Sequence, residues 1–274
     1  MWLRQMASET QITHAQRLWL YLLGGLVMIF LVAPSLIVIP LSFSGSQYLE
    51  FPPQTWSTRW YDNYFGSIEW REATYTSLLA ATLTALFATP LGTAAAYGLH
   101  VSRFGWARYV QAVLLLPMIV PIILIAVGVF FLYAKLGLLN TITGLVLAHT
   151  ILAIPFVLII VTAGFRTYDM NQELVARSLG ASRFVAFVTV TLPQIKFSAI
   201  SGALLAFLTS FDEVVIALFI SGGERATITR RMFNALRDQV DPTIAAISTC
   251  LISVSILAVI IFQICSRDVE GRDR

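Results

Sequence analysis

The sequence predicts an all-α polytopic membrane protein that crosses the bilayer six times, and three observations carry that prediction. First, of 274 residues 57% are apolar and only 12% charged, against roughly 25% charged in soluble domains. Second, five uncharged runs, 18–49, 73–102, 109–134, 136–165 and 242–266, each exceed the ~20 residues that span about 30 Å of hydrocarbon as a helix. Third, a sixth apolar stretch, 197–220, is long enough as well, although it carries Asp212 and Glu213 near its end. A soluble helical protein has no use for five such runs.

The first run, 18–49, begins after 17 residues and is too long for a cleavable signal, so it is expected to stay as the first span. Residues 45–72, "GSQYLEFPPQTWSTRWYDNYFGSIEW" within them, are rich in Trp and Tyr and are interrupted by Pro52-Pro53. They read as an interfacial segment that anchors in headgroups or meets a partner outside. The spans 73–102, 109–134 and 136–165 contain Pro90, Gly92, Pro117, Pro121 and Pro155, residues tolerated in a bilayer where neighbours satisfy the freed backbone.

An even number of spans puts both ends on one side. With the amino terminus inside, Arg4, Arg17, Arg103, Arg108, Arg166, Arg177, Arg183, Lys196, Arg267, Arg272 and Arg274 are cytoplasmic. Arg59, Arg71, Lys135, Arg225, Arg230, Arg231 and Arg237 are then outside. Eleven against seven favours an N-in, C-in topology. The division is a cytoplasmic segment 1–17, a transmembrane domain 18–265 with a cytoplasmic loop 166–195, and a tail 266–274. The net charge of +3 follows from that bias, so no nucleic acid or acidic partner is needed to explain it.

Catalytic chemistry finds little support. There is no G-x-x-x-x-G-K-[S/T] phosphate loop, the only lysines being Lys135 and Lys196. His14, His100 and His149 are scattered without the i, i+4 partner of a helical metal site. Cys250 and Cys265 lie 15 residues apart on one helix, roughly 22 Å at 1.5 Å per residue, too far to pair. No enzyme, metal or cofactor of the chain's own is expected.

The loop between the fourth and fifth spans is more informative. Asp169 and Gln172 suit a capping box opening a helix over about 170–179, and Gly180 suits its left-handed stop. Ser182 suits the cap of a second short helix ending before Pro193. On that helix Phe184, Phe187 and Val188 fall at i, i+3 and i+4, one apolar stripe. Such a helix lies on the membrane surface, packs on its own helix ends, or docks a partner; its periodicity does not choose among these.

The stretch resembles the EAA loop of permease subunits in bacterial ATP-binding-cassette importers. That pattern runs Glu-Ala-Ala, three residues, Gly, nine residues, a β-branched residue, one residue, Leu-Pro. Here Gly180 is followed by nine residues and then Val190, Thr191, Leu192 and Pro193, and "ARSLGAS", 176–182, also matches. The Glu-Ala-Ala positions fall on Leu174, Val175 and Ala176, so the glutamate is absent in register and Glu173 comes one residue early. The resemblance covers most of 18–265. "SFDEVVIALFISGG" (210–223), "DPTIAAISTCLISVSILAV" (241–259) and "YTSLLAATLTALFATPLGTAAAYGL" from Tyr75 are similar to the spermidine/putrescine branch.

The resemblance implies a type I importer permease in the inner membrane, paired with a homologous second permease, two ATPase subunits and a periplasmic binding protein. ATP and Mg would be bound by the partner ATPases. It implies that the loop is a coupling helix seated on an ATPase subunit, with Ala176, Leu179, Gly180, Ala181, Ser182, Arg183 and Phe184 at the interface. It implies a small cationic amine as solute, a polyamine first, with γ-aminobutyrate, other amino acids, aminophosphonates, opines and betaines as alternatives. The rival is a self-sufficient channel or ion-coupled carrier, which would work without nucleotide.

The residues themselves offer a cationic site. A carboxylate deep in a membrane costs about 2.5–3.5 kcal/mol on insertion scales, so Asp212 or Glu213 is expected to face a pathway or a partner. Phe207 and Phe211, four apart, suit an amine by cation–π contact. Pairing of the acids with Arg225 or Arg230 near the outer interface is the alternative. Adjacent helical residues do not share a face, so one of the two acids at most points into a pathway. In 224–240, Met232, Phe233, Leu236 and Val240 oppose Arg230, Arg231 and Arg237. This reads as an interfacial helix at an outer gate or binding-protein surface, or as a plain membrane anchor.

Overall fold

The computed structural model describes residues 17–102, 104–238 and 240–270, with side chains described to 257. Arg4, His14, Arg103, Arg272 and Arg274, and the side chains of Cys265 and Arg267, lie outside the described residues. Within them the chain is helical: α1 (Leu18–Ser42), α2 (Arg59–Gly66), α3 (Ile68–Val101), α4 (Ala107–Ile119), α5 (Ile122–Leu136), α6 (Ile142–Phe165), α7 (Asn171–Ser178), α8 (Arg183–Ala186), α9 (Leu192–Gln194), α10 (Lys196–Asp212), α11 (Val215–Ile220), α12 (Ile228–Asp238) and α13 (Thr243–Glu270). A π-helical turn, Phe187–Thr191, joins α8 to α9.

The described residues divide into two compact units, one formed by those within 17–67 and 235–270, the other by those within 68–234. In the first, α13 packs against α1 and α2. Asn63 Nδ2 donates to Thr243 Oγ1 at 2.8 Å, and the hydroxyls of Ser42 and Tyr61 meet at 2.7 Å. Helix α1 leaves Leu22, Ile29, Phe30 and Leu31 exposed, as a helix whose solvent is lipid does.

In the second unit α3, α6 and α10 form the core. The helices approach closely because small residues line the contacts: Ala88, Ala96, Ala153 and Ala206 are buried together with Val157, Leu158 and Val161. Without a hydrophobic drive between helices in lipid, such close van der Waals packing and interhelical hydrogen bonds hold the bundle. His149 on α6, fully buried, meets Ser210 Oγ on α10 at 2.7 Å, and Ser210 donates to Thr84 Oγ1 on α3 at 3.2 Å.

Three helices, α1, α3 and α6, are each long and apolar enough to cross a membrane, and two bent pairs pass the same test together. Two of the expected apolar runs are therefore broken. The run 109–134 breaks at Val120–Pro121, where α4 and α5 meet at 97°. Pro121 has no N–H to continue the ladder, and Val120 before it is driven extended, with ψ 132°. The run 197–220 ends at Asp212, because Glu213 is extended (ψ 115°) and a separate α11 follows.

Candidate functional site

The loop between α6 and α10 is built from local capping chemistry. Asp169 Oδ1 accepts from Asn171 N–H at 3.0 Å and opens α7, a one-sided turn in place of the expected capping box with Gln172. The helix stops at Gly180, φ +97°. Gly180 N–H bonds Arg177 O at 3.0 Å and Ala181 N–H bonds Ala176 O at 3.2 Å, the paired bonds of a Schellman stop. Ser182 Oγ then accepts from Val185 N–H at 3.3 Å and caps α8.

The second helix does not end before Pro193, as expected. It widens into the π turn 187–191 and continues through Pro193 to Gln194. The wider turn relieves the ring-to-carbonyl clash that proline imposes on an α-helix. The bend falls at Ile195 instead, where the segment Arg183–Gln194 meets α10 at 80°. The widened register also divides the expected stripe. Phe187 turns inward, its ring 4.7 Å from that of Tyr97, while Phe184 and Val188 remain outside.

Of the seven candidate docking residues, Leu179 is 84% and Phe184 76% exposed. Two large apolar side chains held out on a capped scaffold, beside a polar helix, make a surface suited to a partner. Gly180, Ser182 and Arg183 are exposed with them, and Ala176 and Ala181 are half-buried beneath. Arg183 also lies over the ring of Tyr97, at 5.5 Å.

Glu173, unplaced by the sequence pattern, is buried at 1% exposure. Its Oε1 accepts from Tyr97 Oη at 2.6 Å and its Oε2 from Thr191 Oγ1 at 2.7 Å. No local pattern betrays this, because the partners lie 76 and 18 residues away.

At the far end of α10 the two acids part company. Glu213 is buried at 9% exposure and its Oε1 accepts from Ile216 N–H at 2.8 Å, closing the first turn of α11. Asp212 is exposed, and among the described residues it joins no ion pair with an arginine. Both line an open cavity of about 540 Å³ with Leu208, Thr209 and Phe211. The rings of Phe207 and Phe211 stack with centroids 5.9 Å apart and planes within 10°.

The alternative, pairing of the acids with Arg225 or Arg230, is not found among the described residues, and Arg230 makes another contact. Arg230 Nη1 donates to Ala217 O at 3.1 Å, so α11 is held by Glu213 at its start and by an arginine further along. Thr229 Oγ1 donates to Glu213 O at 3.0 Å and Ile228 N–H to Ser77 Oγ at 2.8 Å, fixing the start of α12. Arg231 pairs with Glu69 and lies over Trp70 at 5.6 Å. The sidedness expected of α12 is thus partly inverted. Arg230, Arg231 and Met232 are half-buried, whereas Phe233 and Leu236 are exposed at 42% and 51%. Arg237 is exposed and bonds Asp238 at 2.8 Å.

Comparison with known proteins gives this geometry a setting. Residues 88–271 match the model of the family described as binding-protein-dependent transport system inner membrane component. The chain is 31% identical over 257 residues to the putrescine transport system permease protein PotI of Escherichia coli, covering 89% of this chain and 90% of that protein. It is 28% identical over 239 residues to the spermidine/putrescine transport system permease protein PotC of the same organism, covering 87% and 90%. Among solved structures, a bacterial ABC transporter that imports the acidic polysaccharide alginate superposes with a TM-score of 0.71 at 15% identity, over 90% of this chain and 94% of that one. At that identity the likeness is one of fold.

Proposed function

The chain belongs to the family of binding-protein-dependent transport inner membrane components, and from that premise we propose that it is one of two permease subunits of an importer for a small cationic amine, a polyamine first. It is a transport permease of the inner membrane and not an enzyme. Partner subunits bind ATP with Mg and hydrolyse it, a periplasmic protein delivers the solute, and the two permeases alternate between outward- and inward-open states. Counting α1, α3, α4 with α5, α6, α10 and α13 as one span each gives six crossings, both ends inside. The transmembrane domain is then 18–265, and 166–195 lies in the cytoplasm.

The docking surface is Ala176, Leu179, Gly180, Ala181, Ser182, Arg183 and Phe184, supported by the outward Leu179 and Phe184 on their capped scaffold. The outer gate or binding-protein contact comprises Arg230, Arg231, Met232, Phe233, Leu236 and Arg237, with the apolar face of α12 supplying the contact.

One observation carries the substrate reading: Asp212 is an exposed carboxylate beside a stacked phenylalanine pair at an open cavity. A carboxylate attracts an ammonium and the rings add cation–π attraction. Glu213 serves α11 and contributes shape. A single free carboxylate also suits a monoamine such as γ-aminobutyrate or a betaine, and for a diamine the second charge would fall to the companion subunit.

The test is uptake of labelled putrescine into proteoliposomes holding this permease, its companion, its ATPases and its binding protein. Uptake is expected to need ATP and to be competed by spermidine more than by γ-aminobutyrate or betaine. Uptake by the chain alone, without ATP, would establish a carrier instead.

A further inference from the structure

Three hydroxyls and the buried carboxylate of Glu173, at the base of the docking loop, form one hydrogen-bonded chain that shares only Arg183 with the docking surface. Arg183 Nε–H donates to Tyr97 Oη at 3.2 Å, and Tyr97 Oη–H donates to Glu173 Oε1 at 2.6 Å. From the other side Thr191 Oγ1–H donates to Glu173 Oε2 at 2.7 Å, leaving Thr191 Oγ1 to accept from Tyr168 Oη at 2.9 Å. The directions are forced. A guanidinium has only donors, each hydroxyl has one proton to give, and a carboxylate only accepts. Every proton in the chain therefore points toward Glu173.

The four tethered groups belong to different elements. Tyr97 stands near the end of α3, Arg183 begins α8, Thr191 closes the π turn that leads into α9, and Tyr168 follows α6. Glu173 itself sits on α7 and is closed off from solvent at 1% exposure, so it has no face left for a partner protein. Charge-assisted hydrogen bonds in a buried setting are short and about twice as strong as neutral ones, and networks of this kind rigidify what they join.

We infer that Glu173 is a positioning residue that locks the coupling loop to α3 and to its own π turn, the segment that runs on through α9 to α10, so that force applied at Leu179 and Phe184 reaches the membrane helices instead of being lost in the loop. The inference rests on the docking reading above and adds what the docking surface needs behind it. The glutamate one place ahead of the family's register is an internal brace. A brace affects the efficiency of coupling, whereas the docking surface affects whether the ATPase is held at all.

The test uses the whole complex in proteoliposomes, with putrescine as probe and the binding protein present. Three quantities are read: the ATPase subunits that co-purify, ATP hydrolysis with and without loaded binding protein, and putrescine moved per ATP consumed. Glu173→Gln preserves volume. Its amide can satisfy the Thr191 branch by reversing it, but the Arg183–Tyr97 branch ends in a donor and keeps its direction. The variant is expected to retain the ATPase subunits and unstimulated hydrolysis, and to lose about three- to tenfold in stimulated hydrolysis and in solute per ATP, within the range of measured coupling changes. Thr191→Val, which deletes one hydroxyl at constant shape, is expected to move the same ratio in the same direction by less. Tyr97→Phe added to Glu173→Gln is expected to cost little more than Glu173→Gln alone, since both break one network.

Equal loss of transport and of hydrolysis, with solute per ATP unchanged, would reduce Glu173 to a folding role and overturn the inference. So would wild-type behaviour of Glu173→Gln, or of Thr191→Val if Glu173→Gln does not assemble. Failure of the docking reading looks different: the ATPase subunits would co-purify equally with wild type and with a Leu179→Asp/Phe184→Asp variant, and the brace would then have no lever to serve.

Discussion

Val157 of α6 sits against Gly92 of α3 so closely that a β-carbon at position 92 would lie 2.7 Å from Val157 Cβ. Gly202 of α10 receives the same side chain from the other side, its notional β-carbon 3.2 Å from Val157 Cγ1. One valine thus fills the hollows of two glycines, and three helices meet around it. Gly92→Ala forces them apart, with an expected loss of about 1–3 kcal/mol, the usual cost of overpacking. Thermal unfolding in detergent, followed by tryptophan fluorescence, measures it. Val157→Ala in the same chain should restore part of the stability by making room. An unchanged melting temperature for Gly92→Ala would refute the close approach.

Ser210 stands between His149 and Thr84, so Ser210→Ala strips a buried imidazole nitrogen and a buried hydroxyl of their partner at once. Interhelical hydrogen bonds in bilayers average near 0.6 kcal/mol and reach about 1.7. Ser210→Ala is expected at the upper end of that range, because two groups are orphaned together. His149→Phe is expected to hurt less than the sum of the two single changes when combined with Ser210→Ala. Strict additivity in unfolding experiments would mean the hydrogen bond is energetically idle.

Gly180 adopts φ +97° with open space where a β-carbon would be, so the penalty for another residue is conformational and not steric. The expected order of docking competence is Gly above Asn, Asn above Ala, and Ala above Pro. Asn visits the left-handed region at low cost, Ala gives up about 1–2 kcal/mol there, and Pro cannot enter it. ATPase subunits recovered per permease provide the readout. Equal recovery across the series would show that the stop at 180 does not matter for docking.

Asp212 and Glu213 are neighbours with different expected fates. Asp212→Asn should leave the melting temperature within experimental error and reduce putrescine uptake about tenfold or more, since a charge-assisted contact to an ammonium contributes about 1.5–3 kcal/mol. Glu213→Ala should act in reverse, lowering stability by about 1 kcal/mol through loss of the oxygen that accepts from Ile216 N–H. Glu213→Gln, which retains an acceptor oxygen, should be milder than Glu213→Ala. An uptake defect confined to Glu213→Gln would exchange the two roles.

What was legible in the sequence and what was not follows from the range of the forces involved. Apolar runs of bilayer length, the glycine stop at 180 and the serine cap at 182 act within one or two turns, so their signatures are local. The helix break after Asp212 was hidden because its cause, Glu213 folding back onto Ile216, looks like an ordinary acid until the backbone is seen to turn. Pro121 announced a disturbance, but its 97° angle is set by what α4 and α5 pack against. Glu173 was the least legible of all, since Tyr97 lies 76 residues away and nothing in the alternation of polar and apolar residues encodes that meeting.

The elbow at Ile195 sets the segment Arg183–Gln194 at 80° to α10, and an arm nearly square to a shaft is a crank. Twelve helical residues give the arm a reach of about 18 Å at 1.5 Å per residue. A sideways push of ~3 Å at its tip would therefore turn the shaft by about 10°. At a side-chain radius of roughly 6 Å, that roll carries the carboxylate of Asp212 about 1 Å around the axis, as much as separates a good hydrogen bond from a broken one. Work done at the proposed docking surface would then reach the proposed solute site as torque, a change of aim at one end of a helix that need not slide at all.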